Sequence, residues 1–146
     1  MSLGLVDWGT LVVGKKRGWI GKDDVIDYCN YILRKSHDEK AISMLVVDEA
    51  SEEDFFDALY KNAGPFEEFV EQEKWRLAFL VYISNLNSDD NEKIRLLQEV
   101  YADFYYPEDM AECSIYGGGR GDPLAAMMRV IAELSKKLCI KNNIIN

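Results

Sequence analysis

The stretch YGGGRGDPLAAMMRVIAELSKKL, residues 116–138, is either a nucleotide site or only the start of a helix, and the reading of the fold begins with it. Glycines running into a helix can cradle a phosphate. Such a cradle needs a lysine beside its last glycine and then a serine or threonine for magnesium. Here Gly121 is followed by Asp122 and Pro123. Asp122 puts negative charge where the anion would sit, and Pro123 has no amide hydrogen to offer it. The same pair is a complete helix start, with Asp at N-cap and Pro at the first helical position. Leu124, Met127, Met128, Ile131, Leu134 and Leu138 then recur at helical spacing. The stretch therefore reads as a helix entered from a glycine-rich surface loop, Gly117 to Gly121, and no nucleotide site is expected. Arg120-Gly121-Asp122 spells an integrin-type tripeptide, which carries no weight in a cysteine-poor chain.

The same periodicity runs outward through the chain. Leu5 to Val13 predicts a short first helix ending at Gly14. Asp23 and Asp24 fall in the first turn of a second, which extends to about Lys35. Ala41–Val47 is apolar enough for either a strand or a helix, and Asp38 and Glu39 as a first turn favour helix. Ser51-Glu52-Glu53-Asp54 resembles a capping box with Asp in place of Glu, and Gly64 closes the helix it opens. Pro65 then opens a long helix through Leu86, polar at its start and apolar in its second half, which is assigned to the centre of the core. Glu92 to Phe104 is amphipathic, and Pro107 begins a short turn or helix through Met110 and Ala111. The expected fold is all-α: one domain over residues 1–146, of about six or seven helices packed as antiparallel neighbours.

Composition narrows the function. The chain has 146 residues, 48% hydrophobic and 29% charged, as an ordinary globular protein does. Its formal net charge of -9 argues against binding nucleic acid or an anionic membrane, and fits a basic partner. No run is as long as a membrane-spanning helix, and no secretory signal pattern is present. Cys29, Cys113 and Cys139 are too few and too scattered for a disulfide framework or a zinc site. The chain is read as cytoplasmic.

No catalytic constellation emerges. His37, the one histidine, sits in the polar link SHDEK and reads as an exposed loop residue; Ser36 and Asp38 are immediate neighbours, which rarely meet in triad geometry. The carboxylate clusters lack the Glu-x-x-His pairs of helical metal sites and the spacing of an EF-hand, so neither a metal nor a cofactor is expected. Asp48, Glu49, Glu52, Glu53, Asp89 and Asp90 are candidates instead for an acidic rim that attracts a basic partner. In YADFYYPEDM, Tyr101 and Phe104 are assigned to the core, while Tyr105 and Tyr106 are candidate anchors at an interface.

WGTLVVGKKRGWIGKDDVIDYCNYIL (8–33), KWRLAFLVYISNL (74–86), VYADFYYPEDMAECSIYGGG (100–119) and GDPLAAMMRVIAELSKKL (121–138) together resemble a family of small bacterial proteins classed as a domain of unknown function. Related small acidic proteins are commonly encoded beside polymorphic or contact-dependent toxins and act as their immunity proteins. The resemblance implies a non-enzymatic, protein-binding chain whose partner is a cognate toxin domain, and the acidic charge fits a basic, nuclease-like toxin. It supplies no catalytic motif to transfer residue by residue. A small enzyme or ligand-binding protein with an aromatic and acidic pocket, and a helical adaptor, are the alternatives that the residues leave open.

Overall fold

A computed structural model describes residues 5–116 and 121–145. Among them are seven α-helices and one 3-10 helix, and no strand: α1 (Trp8–Lys16), α2 (Lys22–Leu33), α3 (Glu39–Val46), α4 (Glu52–Ala63), α5 (Glu68–Asn85), α6 (Asp90–Asp103), the 3-10 helix Glu108–Cys113, and α7 (Pro123–Ile145). The all-α expectation holds. By contacts the chain divides into two compact units, with the boundary inside α5: an amino-terminal unit of Val6–Gln72 and a carboxy-terminal unit from Glu73 onward.

In the amino-terminal unit α1 and α2 both pack on α4, and α3 packs on α2 and α4. Leu11, Val12, Val25, Cys29, Ala41, Met44, Phe55, Phe56 and Leu59 form its core. Local chemistry explains each start. Asp7 Oδ1 accepts the Thr10 amide hydrogen at 3.0 Å and Thr10 Oγ1 accepts that of Asp7 at 3.0 Å, a reciprocal cap in which Thr stands where Glu is usual. Asp38 caps α3 by accepting the Ala41 amide at 3.0 Å. That cap settles the ambiguity of Ala41–Val47 as helix: Ala41 and Met44 turn inward while Ile42 and Val46 face solvent, a helical and not an alternating pattern. Ser51 Oγ accepts from the Asp54 amide at 3.2 Å, as its sequence predicts.

Two boundaries differ from expectation. Gly14 does not end α1; it is buried within the helix, which stops two residues after it at Lys16. The reversal comes at Gly18, whose φ of +75° suits glycine, and the Trp19 amide then donates back to the Gly14 carbonyl at 2.9 Å. Pro65 does not open α5, which begins at Glu68. Phe66 is held against α1 instead: a Cβ on Gly9 would lie 2.8 Å from Phe66 Cγ, so ring and helix backbone are in direct contact.

In the carboxy-terminal unit α7 packs on α6 and on the 3-10 helix, and α6 packs on the 3-10 helix. Leu77, Leu80 and Ile83 of α5 are buried, as are Leu97, Val100, Met110, Cys113, Met127, Val130, Leu134 and Leu138. Phe79 of α5 meets Phe104, the residue just past α6, edge-on at 6.2 Å. Asp122 Oδ1 accepts from the Leu124 amide at 3.0 Å, confirming the predicted start of α7. One feature of α5 runs against its hydrophobic pattern: Glu71, Glu73, Lys74 and Arg76, in its polar first half, are buried along with the apolar residues that follow. Ion pairing described below explains how Glu73 and Arg76 tolerate burial.

Candidate interaction site

The carboxyl end of α6 is built in an unusual way. The Tyr105 amide donates to the Ala102 carbonyl at 3.0 Å, and the Tyr106 amide donates to the Tyr101 carbonyl at 2.9 Å. This pair of bonds is a Schellman closure, whose first position past the helix normally carries glycine because its φ is positive. Here Tyr105 has φ 60° and Tyr106 has φ 56°, the two positive-φ residues other than glycine among those described. A left-handed backbone costs an L-residue about 1–2 kcal/mol. The apolar contact that often accompanies the motif is present, since the Tyr106 ring meets that of Tyr101 edge-on at 5.1 Å. Pro107, with no amide hydrogen, then prevents the helix from continuing.

The consequence is exposure. Tyr105 is 78% and Tyr106 64% accessible. Tyr101 and Phe104, one turn earlier, are half-buried. The division of the four aromatics between core and candidate anchors thus follows the local backbone.

The acidic candidates are all exposed, and most have structural work as well. Asp48 lies just beyond α3, where Lys22 Nζ donates to its carbonyl and stands 3.6 Å from its carboxylate. Glu52 and Glu53 occupy the first turn of α4, where carboxylates favour the positive end of the helix dipole. Asp89 caps α6 by accepting from the Glu92 amide at 2.9 Å, and Asp90 opens that helix. Asp48, Glu49, Glu52 and Glu53 therefore group around the α3–α4 junction of the amino-terminal unit. Asp89 and Asp90 are separated from Tyr105 and Tyr106 by the full 14 residues of α6, roughly 20 Å of helix.

Other candidates resolve plainly. His37 is exposed, and Asp38 is engaged at the α3 cap and not with a neighbouring histidine. Among the described residues no group of three or more His, Cys, Asp or Glu side chains is placed to hold a metal. Residues 117–120 of the glycine loop, and with them Arg120, lie outside the described residues. No helix among the described residues is long and apolar enough to cross a membrane.

Sequence reasoning missed the residues that hold the segment after Pro107. Arg76 Nη1 reaches Asp109 Oδ1 at 2.6 Å while its Nη2 meets Glu73 Oε2 at 2.8 Å. Gln98 clamps the far end, donating from Nε2 to the Cys113 carbonyl at 2.9 Å and accepting the Ile115 amide on Oε1 at 3.3 Å. Arg129 of α7 pairs with Glu112 at 2.6 Å. None of these residues stands out in the sequence, because each is an ordinary polar residue on an amphipathic helix.

A family model described as an uncharacterized protein conserved in bacteria, DUF2247, matches residues 2–138. The chain belongs to the DUF2247 family. No curated protein and no solved structure matches this DUF2247 chain.

Proposed function

We propose that this DUF2247 protein is a non-enzymatic protein-binding module of the bacterial cytoplasm that neutralises a cognate toxin, as an immunity protein does. One observation carries the reading: Tyr105 and Tyr106 are exposed side by side on a backbone that disfavours any residue but glycine. Strain of this kind persists where it serves a site, and tyrosine supplies large rigid contact area at interfaces. The net charge of -9 supports a basic partner, for which a nuclease-like toxin is the natural candidate. In this reading Asp48, Glu49, Glu52, Glu53, Asp89 and Asp90 accelerate capture, and the two tyrosines hold the complex.

Co-expression with a candidate toxin encoded beside its own gene tests the proposal, with growth as the readout. Rescue from arrest supports neutralisation; arrest that persists with the protein folded and expressed, or an adjacent operon of metabolic genes, sinks it. In the purified complex, reversing the charges of Asp48, Glu52 and Glu53 should slow association and flatten its salt dependence, because screening acts on long-range attraction. Tyr105→Ala or Tyr106→Ala should mainly speed dissociation, at a cost on the order of 2 kcal/mol for a hot spot.

A further inference from the structure

We draw no further inference here: the strongest candidate, the exposed Tyr105, Tyr106 and Tyr116 of the loop 105–116 that Gln98 closes back onto α6, carries no occupant, because the loop's Asp109 and Glu112 are already paired with Arg76 and Arg129 and nothing in the structure shows what covers the rings.

Discussion

Arg76 Nη1 lies 2.6 Å from Asp109 Oδ1, so a guanidinium buried on α5 grips the first turn of the 3-10 helix after Pro107. Burial disfavours the charge on Arg76, but the hydrogen bond it donates to Asp109 and the charge of Glu73 outweigh it and hold its pKa above the ordinary value. Removing one partner of a buried ion pair strands the other. Arg76→Ala should destabilise the protein by about 3 kcal/mol in urea denaturation, the low end for such a break, because Asp109 is partly exposed and Lys137 Nζ remains 3.8 Å from Glu73. Glu73→Leu/Arg76→Met should recover most of the loss. A single-variant loss like that of a surface change would mean that the guanidinium is hydrated.

The left-handed turn predicts a trade between stability and binding. Tyr105→Gly removes the cost of a positive φ and should raise stability by about 1 kcal/mol, visible as a higher melting temperature. The same variant should bind its partner less well, because the exposed ring is gone. A variant that melts lower would show that contacts of the Tyr105 side chain outweigh the backbone strain.

Glycine to alanine inside a helix ordinarily stabilises by up to about 1 kcal/mol. At Gly9 the sign should reverse. The new Cβ would approach Phe66 Cγ to 2.8 Å, so either the ring or α1 must move. Gly9→Ala should destabilise by roughly 1–3 kcal/mol, the range for overpacking, and Phe66→Leu in the same chain should restore part of it. Thermal melts of the two variants, singly and together, give the coupling directly.

The thiols divide by burial. Burial pushes Cys29 up to about 11, assisted by the charge of Asp38, and pushes Cys113 up to about 11, assisted by Asp109. Cys139 is exposed. At neutral pH a thiol reagent such as iodoacetamide should modify Cys139 first, with Cys29 and Cys113 reacting only after unfolding, as intact mass would show. The shifts also set a pH dependence. A group whose pKa is higher in the folded state binds more protons there, so its stabilisation is complete below the unfolded value and is lost as pH rises. Stability should therefore fall between about pH 9 and 11 through the two cysteines. Tyr28, raised to about 12 by burial and then by Asp7, should extend the fall upward from about pH 10. Cys29→Ala/Cys113→Ala should flatten the lower part of that decline.

What the sequence determined by itself was local: the helical class, the starts at Ser51, Asp38 and Asp122-Pro123, and the end of the amphipathic helix α6 near Phe104. These are decided within a turn or two of chain, by spacing of apolar residues and by side chains that satisfy nearby amides, so they are legible without knowing what packs where. The acidic candidates were legible as charge but not as a surface, because capping and ion pairing assign several of them to helix starts. Tertiary structure decided the rest. Gly14 stayed inside α1 and Pro65 outside α5 because Gly18 supplies the reversal and Phe66 is held on Gly9. The closed loop 105–116 depends on Arg76, Gln98 and Arg129, residues that lie up to 33 positions from their partners in the chain. No periodicity encodes such pairings, since each requires the helices to be packed before the side chains can meet.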